Sequence, residues 1–357
     1  MSAAQISAPE LPYRPRNPKH YAPQIGLLGC GNITNSHLKA YKQAGYRVAA
    51  LCDVDEARAR EKQKNYYPDA RVYTDHLQFL KDEALEVIDI ATHPAVRGAQ
   101  IKAALLARKH VLSQKPFVLD LNLGEELVAL AAKQGVRLAV NQNGRWAPNW
   151  SYMREAVRAG LIGEMLGVHM TFAWSHDHMA NTPFNEVKHA ILYDYGIHNF
   201  DILSCFMGER QALRVFGSCR PANGQKSKPP LLAQALLEFE GAQATLCFDA
   251  FTPIGTEIRT FVAGSRGTLA SVGPNLNEQT VTLNTEAGSA QPKLEGAWFP
   301  DGFHGSMAEL LCAIEEKREP TNSGANNLNS LALCFAAVAS AETHQPCTPG
   351  EVRTLMA

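Results

Sequence analysis

The chain has 357 residues and a mass of 39.0 kDa, which exceeds the usual size of one domain and predicts two. Its formal net charge is -1, from 34 basic and 35 acidic side chains, so the charge balance argues against binding to nucleic acid or to an anionic membrane. Eight dispersed cysteines form no C-x-x-C pair and predict buried thiols in a reducing compartment. No apolar run approaches the ~20 residues that span a bilayer, and no secretory signal pattern opens the chain, so we expect a cytoplasmic protein.

The first part of the chain alternates short apolar runs with helical stretches after a proline-containing arm. Residues 1–22 lack helical periodicity and predict an extended arm, either loose or laid across a neighbouring surface. The range 23–145 then alternates strands with helices, which predicts an α/β domain with a doubly wound parallel sheet, the Rossmann arrangement. The predicted strands are 24–28, 48–52, 85–91, 111–113 and 138–140, and the predicted helices are 32–45, 55–66, 96–108 and 124–134.

The pattern changes after residue 146, where runs of strands replace the alternation. These runs predict a second, α+β domain over 146–325 with a large, mostly antiparallel sheet. A helix at about 193–206 is expected to cover one face of that sheet. We expect the C-terminal helix and tail, 326–357, to pack back on the first domain. The remaining predicted elements are helices at 149–159 and 305–317 and strands at 165–174, 211–219, 232–239, 242–250, 257–263 and 268–271.

Two glycines separate the first predicted strand from the first predicted helix. At Gly29-x-Gly31, backbone N–H groups and the helix dipole would meet a pyrophosphate, and Asp53 follows at the end of the second strand. The alternative is an ordinary glycine turn beside a surface aspartate, because turns use glycine for many reasons. The strand–turn–helix context favours dinucleotide binding. The Asp53 carboxylate suits a ribose hydroxyl and would repel a 2′-phosphate, so NAD is favoured over NADP, although Arg58 lies one helical turn further on.

Asp194 and His198 lie four residues apart, a spacing that puts both on one face of a helix. An imidazole has an unperturbed pKa near ~6.5, so it can take a proton at neutral pH, and a carboxylate one turn away can orient it. Such a pair also occurs as a solvated ion pair or a helix cap, so chemistry does not follow from this spacing alone.

Ser113-Gln114-Lys115-Pro116 ends the fourth predicted strand, where a doubly wound sheet lines its ligand crevice. With Gly29-Cys-Gly31-Asn, Asp53 and Asp194-x-Gly-x-His198-x-x-Asp201, it makes the chain resemble the glucose-fructose oxidoreductase and inositol dehydrogenase (Gfo/Idh/MocA) family over about 24–345. The resemblance implies an N-terminal Rossmann domain and a C-terminal domain whose open sheet forms the interface of a homodimer or homotetramer. It also implies hydride transfer between a nicotinamide cofactor and a sugar, cyclitol or related polyhydroxy compound.

The resemblance assigns catalytic roles to Lys115, Asp194 and His198. Three positions depart from the family pattern: Gln114 replaces the Glu of Glu-Lys-Pro, Thr34 replaces a third small residue, and 94–98 lacks the usual Asn and His. The cofactor contacts that it implies are Gly29, Gly31, Asn32, Ile33, Asp53, Thr92, His93, Pro94, Gln114 and Lys115.

The base in this reaction is either a histidine or a lysine. Bringing a lysine from about 10.4 to neutrality requires a shift of ~3 units, or roughly 4 kcal/mol, whereas an imidazole needs almost none. We therefore interpret His198 as the base, Asp194 as its orienting partner and possible substrate contact, and Lys115 as a cationic donor to the reacting oxygen.

Four further residues are candidate substrate contacts. Arg145 and Trp146 follow the fifth predicted strand, although an interdomain packing Trp beside a surface Arg explains them equally well. His176 and His178 flank an aspartate and are expected to line the substrate. They lack an evident third ligand, so we predict no metal site.

Two other functions remain open from the sequence. One is a regulator that binds the nucleotide without catalysis, against which the retained Lys115, Asp194 and His198 argue. The other is an NAD-dependent glycosidase, in which transient oxidation activates elimination of a sugar substituent.

Overall fold

The computed structural model describes residues 4–355, which form two compact units. The parallel-sheet unit consists of Pro15–Trp146 and Phe299–Leu328. The mixed-sheet unit consists of Ala147–Trp298 and the described parts of Met1–Arg14 and Asn329–Ala357. None of the helices within residues 4–355 is both long and apolar enough to cross a membrane.

The parallel-sheet unit contains six strands that pair only in parallel, which confirms the predicted doubly wound sheet. The strand order is β3-β2-β1-β4-β5-β6, so the order reverses between β1 and β4, where such sheets bind ligands. The strands are β1 (Gln24–Leu28), β2 (Arg47–Cys52), β3 (Arg71–Tyr73), β4 (Val87–Ile90), β5 (His110–Gln114) and β6 (Leu138–Asn141). The helices are α1 (Thr34–Gln43), α2 (Glu56–Tyr66), α3 (His76–Leu80), α4 (Pro94–Leu106) and α5 (Leu121–Gln134).

Local sequence explains where these helices begin. The side chains of Asp55, Asp75 and Asp120 each accept a hydrogen bond from the backbone N–H two residues later, and so cap α2, α3 and α5. Gly135 ends α5 with φ +70°, a conformation that glycine adopts without steric cost. Caps of this kind make the helix boundaries of this unit readable from the sequence.

One helix of the parallel-sheet unit comes from late in the chain. The helix α8 (Trp298–Glu315) is interrupted at Phe299, and its buried Phe303, Met307 and Leu310 share one apolar cluster with side chains of β1. Residues 299–328 therefore group with the first sheet, whereas the sequence pattern placed everything through 325 in the second domain. The apolar periodicity of a sequence shows that one face of α8 is buried. It does not show which of the two sheets that face packs against.

The mixed-sheet unit contains eight strands in the order β14-β13-β12-β11-β7-β10-β9-β8. Every pair is antiparallel except β7 with β10, which confirms the predicted large, mostly antiparallel sheet. The elements are α6 (Pro148–Arg158), β7 (Met165–Ala173), α7 (Ile197–Met207), β8 (Ala212–Arg220), β9 (Leu232–Phe239), β10 (Ala242–Asp249), β11 (Glu257–Gly264), β12 (Gly267–Gly273), β13 (Thr280–Thr285), β14 (Gly288–Ala290) and α9 (Gly324–Thr343).

The two faces of this sheet differ in burial. Alternate residues of β9 to β11, such as Leu237, Leu246 and Val262, are fully buried. Their neighbours on the other face, such as Gln234 and Gln243, are exposed. Period-two alternation of this kind marks a sheet with one face open. The expected pairing of this face with a second copy of the chain stays a prediction.

The C-terminal helix packs differently from our expectation. From residue 329 onward α9 belongs to the mixed-sheet unit, and its Ser340 Oγ accepts a hydrogen bond from Gly217 N at 2.9 Å. A Cβ atom on Gly217 would lie 1.9 Å from the Ala337 carbonyl oxygen, so only glycine allows this approach of β8 to α9. We expected 326–357 to pack on the first domain, whereas the segment after 328 groups with the mixed-sheet unit, where the backbone of α9 lies close to Gly217 of β8.

The N-terminal arm is laid on the chain, which was one of the two predicted alternatives. Ile6 N donates to Ser289 O at 2.9 Å, and Tyr152 Oη donates to Pro9 O at 3.1 Å, within the mixed-sheet unit. In the parallel-sheet unit, Glu315 Oε2 accepts hydrogen bonds from the backbone N–H groups of residues 19–21. All eight cysteines are free thiols, four of them buried and four half-buried, so the expectation of buried thiols holds for half of them.

Candidate functional site

The turn after β1 leaves open space above its backbone. Gly29 has φ +93°, and a Cβ atom there would lie 2.9 Å from Thr92 Cγ2, so this position requires glycine. Apart from Gly31 itself and its two chain neighbours, no heavy atom of residues 4–355 lies within 4 Å of the place that a Cβ atom would take on Gly31. The adjoining cavity has a volume of about 240 Å³ and is lined by Cys30, Gly31, Asn32, Arg58, Glu61 and Lys62. Exposed backbone next to open space at a helix N-terminus fits the pyrophosphate of NAD.

Thr34 explains one departure from the family pattern. Its hydroxyl donates to Gly31 O at 2.6 Å, and the residue is fully buried as the first residue of α1. The hydroxyl therefore closes the turn by a hydrogen bond, where a third small residue closes it by contact. The half-exposed Ile33 precedes it.

Asp53 has a structural partner that the sequence did not reveal. Its Oδ2 accepts a hydrogen bond from Cys30 N at 2.7 Å, and its Oδ1 accepts one from Asp55 N at 2.9 Å. The carboxylate is 9% exposed and thus ties the end of β2 to the glycine turn. A ribose hydroxyl at this carboxylate would share oxygens that already accept backbone N–H groups. Arg58 pairs with Asp55 at 3.2 Å.

The second predicted cofactor turn, Thr92-His93-Pro94, follows β4 at the point where the strand order reverses. His93 Nδ1 accepts a hydrogen bond from Ala95 N at 3.3 Å and so caps α4, and Thr92 Oγ1 donates to Gln100 Oε1 at 2.5 Å. The side chains of Thr92 and His93 therefore hold the shape of this turn at the carboxyl end of β4, where Thr92 is partly exposed and His93 is exposed.

Arg97 is a buried residue of this region that our sequence interpretation missed. It is 2% exposed and donates from Nε to Thr92 O at 3.0 Å, from Nη1 to Gln114 O at 2.8 Å, and also from Nη1 to Pro116 O. One guanidinium thus joins the turn after β4 to the segment after β5. Its position on the buried face of α4, four residues before Ile101, was the available signal.

Lys115 lies directly after β5, in the same unit as the glycine turn. It is partly exposed between the buried residues Gln114 and Pro116. Gln114 Oε1 accepts a hydrogen bond from Lys115 N at 2.7 Å. Lys115 is therefore partly exposed at the carboxyl end of β5, while hydrogen bonds hold the neighbouring Gln114 in place.

Asp194 and His198 are not on one regular helix, which corrects the expected helix at 193–206. Asp194 lies on a π-helical turn, Ile191–Tyr195, and His198 is the second residue of α7. The wider turn is closed by Gly196 N, which donates to Ile191 O at 2.7 Å. A Cβ atom on Gly196 would lie 2.8 Å from Leu192 O, so the glycine permits the turn. Single π turns inside helices occur frequently at functional sites.

The imidazole of His198 rests against an aromatic layer of the mixed-sheet unit. Its ring centroid lies 5.3 Å from that of Trp298 at 85°, and Trp298 lies 5.0 Å from Trp150. Trp150 is itself fixed by a hydrogen bond from Nε1 to Thr260 Oγ1 at 2.9 Å. This packing orients an imidazole that is still partly exposed. Asp201, the last residue of the motif, is buried and accepts a hydrogen bond from Ser330 Oγ at 3.0 Å, so it anchors α7 to α9.

His176 and Tyr195 form a neutral polar pair near Asp194. Their ring centroids are 4.2 Å apart at 71°. Burial lowers the pKa of His176 to about 4. Burial, together with the negative charge of Asp194, raises the pKa of Tyr195 to about 12. Both rings are therefore uncharged at neutral pH and can exchange hydrogen bonds with hydroxyl groups.

His178 lies on a short 3-10 helix, Asp177–Asn181, so it does not share a strand with His176. It is exposed, and its ring lies 5.9 Å from that of His176. Among residues 4–355, no group of three or more His, Cys, Asp and Glu side chains is arranged to hold a metal ion.

Arg145 and Trp146 lie in the interior of the parallel-sheet unit. Arg145 is 2% exposed and donates to Thr321 O and to Asn326 Oδ1, both at 2.6 Å. A Cβ atom on Gly305 would lie 2.1 Å from Trp146 Cγ, so the indole packs directly on the backbone of α8. These contacts favour the packing interpretation of both residues over substrate contact.

Comparison with known proteins agrees with this architecture. Residues 24–142 match the model of the GFO/IDH/MocA oxidoreductase family with its NAD-binding Rossmann fold, and residues 150–270 match the GFO/IDH/MocA C-terminal domain. The chain is 28% identical to D-apiose dehydrogenase of Paraburkholderia graminis over 349 residues, covering 88% of this chain and 86% of that protein. It is 27% identical to inositol 2-dehydrogenase of Rhizobium meliloti over 330 residues, covering 89% and 96%.

Solved structures share the fold across nearly the whole chain. An oxidoreductase from Agrobacterium radiobacter in complex with NAD+, L-tartaric acid and magnesium has a TM-score of 0.82 at 23% identity, covering 92% of this chain and 98% of that one. Scyllo-inositol dehydrogenase from Lactobacillus casei with NAD(H) and scyllo-inositol has a TM-score of 0.78 at 19% identity, covering 92% and 100%. The chain therefore belongs to the GFO/IDH/MocA family and is an NAD-binding oxidoreductase that acts on CH–OH groups.

Proposed function

We propose that the chain transfers a hydride between NAD and a neutral sugar, cyclitol or related polyhydroxy compound, with His198 as the general base or acid. The observation that carries this proposal is the segment at residues 191–198. Its apolar side chains are buried, whereas Asp194 and His198 are partly exposed and His198 rests against Trp298. An oriented, partly exposed imidazole four residues from a partly exposed carboxylate suits proton transfer at neutral pH. Relatives named as apiose and inositol dehydrogenases support the substrate class.

Each proposed residue has one task in alcohol oxidation. Bound NAD would supply the hydride acceptor for the carbinol carbon. His198 takes the proton of the reacting hydroxyl, and the Asp194 carboxylate stabilises the imidazolium that results. The Lys115 ammonium donates a hydrogen bond to the reacting oxygen and orients it. In the opposite direction, His198 returns the proton to the carbonyl oxygen.

The surroundings of Asp194 favour a neutral, hydroxyl-rich substrate over an acid. His176 and Tyr195 are both uncharged at neutral pH for the reasons given above, and Asp194 adds a negative charge. A carboxylate substrate placed here would meet like charge, whereas hydroxyl groups can both donate to and accept from these side chains.

The test is the substitution His198→Ala in an absorbance screen for NADH over cyclitols and aldoses. We expect kcat to fall about 100-fold or more because the proton acceptor is lost, while the dissociation constant for NAD stays within about twofold. The matched control is His20→Ala, which removes an exposed imidazole from the arm and should leave kcat unchanged.

Three results would contradict the proposal. Unchanged turnover of His198→Ala would remove the assigned base. Turnover of a glycoside without net NADH would identify the glycosidase instead. Binding of NAD without turnover of any polyol or glycoside would identify a regulator.

A further inference from the structure

A buried polar cluster lies beneath the segment that carries Lys115, and the proposed chemistry does not use it. Its members come from α1, β4, β5 and β6 of the parallel-sheet unit. None is more than 5% exposed, and together they are His37, Tyr41, Asp89, Gln114 and Asn141.

The hydrogen bonds of this cluster define where its protons lie. The backbone N–H of Lys115 can only donate, and it lies 2.7 Å from Gln114 Oε1. The Gln114 amide must therefore point its Nε2 the other way, toward His37 Nε2 at 3.0 Å. Asn141 Nδ2 approaches the same ring nitrogen at 3.3 Å. Because an NH2 group faces it, His37 Nε2 carries a lone pair and not a proton.

The other side of the imidazole agrees with this tautomer. The proton of the neutral ring lies on Nδ1, which donates to Asp89 Oδ2 at 2.7 Å. Tyr41 Oη donates to the same oxygen at 2.7 Å, and burial together with the charge of Asp89 raises the pKa of Tyr41 well above its ordinary value. A chain of hydrogen bonds with one proton arrangement thus runs from Asp89 to the backbone of Lys115.

This cluster is costly for a purely structural element. Asp89 Oδ1 and Asn141 Oδ1 are buried, and neither has a hydrogen-bond partner within residues 4–355. A buried acceptor without a donor costs about 1–3 kcal/mol, so apolar side chains of similar size would give a more stable core. What the cluster does determine is the position of one peptide. Arg97 binds the carbonyl group of that same peptide, Gln114 O, and the carbonyl group of Pro116 on the other side of Lys115.

We propose that His37 is a positioning residue for the reaction, one that acts through Gln114 to fix the backbone of Lys115. Asp89 holds the proton of His37 on Nδ1, so Nε2 is a hydrogen-bond acceptor. An acceptor at this place favours a side chain with an NH2 group, such as that of Gln114. This inference rests on the proposed role of Lys115 as donor to the reacting oxygen. It explains why Gln114 stands where the family pattern has glutamate, because a carboxylate at position 114 would place an oxygen lone pair against the lone pair of His37 Nε2.

The test is Gln114→Glu, a change of nearly equal size that replaces the NH2 group facing His37 Nε2 by an acceptor. Because the new carboxylate oxygen and the ring nitrogen repel, the backbone of Lys115 loses its fixed position. We expect kcat at least about tenfold below wild type, with KM for the polyol within about threefold. The control Gln43→Glu makes the same change at an exposed position at the end of α1 and should leave kcat unchanged. A kcat within about twofold of wild type for Gln114→Glu would overturn the proposal.

A second measurement does not depend on the chemical role of Lys115. In ¹⁵N-histidine-labelled wild type, NMR should show His37 as the Nδ1–H tautomer, assigned by the loss of its signals in His37→Leu. A proton on Nε2 would overturn the inference regardless of activity. If Lys115→Met left kcat unchanged while His37 showed the expected tautomer, the proposed donor role would fail and the hydrogen-bond chain would be a structural element only.

Discussion

The two units carry their candidate residues on different parts of the chain's chemistry, backbone in one and side chains in the other. In the parallel-sheet unit, the proposed nucleotide contact is the backbone of a glycine turn that borders open space and whose shape is held by Asp53 and Thr34. In the mixed-sheet unit, the polar groups are side chains on a π turn and on α7, and aromatic rings orient one of them. A site made of backbone stays accessible only where no side chain covers it. A site made of side chains depends on the residues that pack around them and orient them. Changes in the first should alter NAD binding, and changes in the second should alter polyol turnover.

The largest effect that sharpens this contrast is expected from Gly31→Val. A Cβ atom on Gly31 would point into open space, so we expect the fold to persist in this variant. We expect the dissociation constant for NAD to rise about 100-fold, measured by calorimetry, because a pyrophosphate can no longer approach the backbone. Gly31→Ala should give an intermediate loss. Full NAD affinity in Gly31→Val would place the pyrophosphate elsewhere.

His176→Phe tests the other unit with a smaller effect. The phenyl ring keeps the packing on Tyr195 but removes both ring nitrogens. We expect KM for the polyol to rise about tenfold, with the dissociation constant for NAD within twofold, in steady-state kinetics with calorimetry. His178→Phe, at the exposed neighbouring position, should have a lesser effect. A rise in the NAD dissociation constant with unchanged KM for the polyol would contradict the proposal that the mixed-sheet unit acts on the polyol and the parallel-sheet unit binds NAD.

The smallest effect concerns stability against pH, and it should occur in both units. Burial lowers the pKa of His176 to about 4, and burial with the charge of Arg137 lowers that of His110 to about 4. Unfolded imidazoles titrate near ~6.5, so between these values the unfolded chain binds more protons than the folded one. The stabilisation is complete above pH ~6.5 and is lost as pH falls toward 4, on the order of 1 kcal/mol for each histidine.

Urea unfolding at pH 7 and pH 5 measures this loss. His176→Phe should reduce the pH dependence of the free energy of unfolding, because the substituted ring does not titrate. An equal pH dependence in wild type and variant would show that the imidazole of His176 is not held neutral.

The sequence predicted the backbone site more completely than the side-chain site. Strand ends, glycine spacing and Asp53 are local signals, and the structure places them around one turn. The strand Arg71–Tyr73 and the helix His76–Leu80 were missed because three and five residues carry too little periodicity. The cluster of His37, Asp89 and Gln114 was invisible because its members are joined only when three separate elements meet.

The π turn was unpredictable for a different reason. A helical pattern assumes 3.6 residues per turn, and the residues around Asp194 fit that pattern well enough to suggest one continuous helix. The extra residue becomes visible only through the hydrogen bond from Gly196 to Ile191 and the close approach of Leu192 O. Likewise, the Arg-Trp pair after a strand fitted ligand contact and packing equally well, because the carbonyl that Arg145 binds lies far along the chain at Thr321.

The π turn also allows the orientations of Asp194 and His198 to vary separately, which a regular helix would not allow. In an α-helix, the side chains of residues four apart are related by a fixed rotation of about 40° around the helix axis. A change in the direction of one side chain therefore changes the direction of the other. With one extra residue accommodated at Ile191–Tyr195, the carboxylate belongs to the turn and the imidazole to the helix that follows. We therefore expect substitutions beside Asp194 to move the carboxylate while the ring of His198 keeps its contact with Trp298. If the proposed roles hold, the π turn would let the carboxylate adjust to a differently shaped substrate while the proposed proton acceptor stays in place.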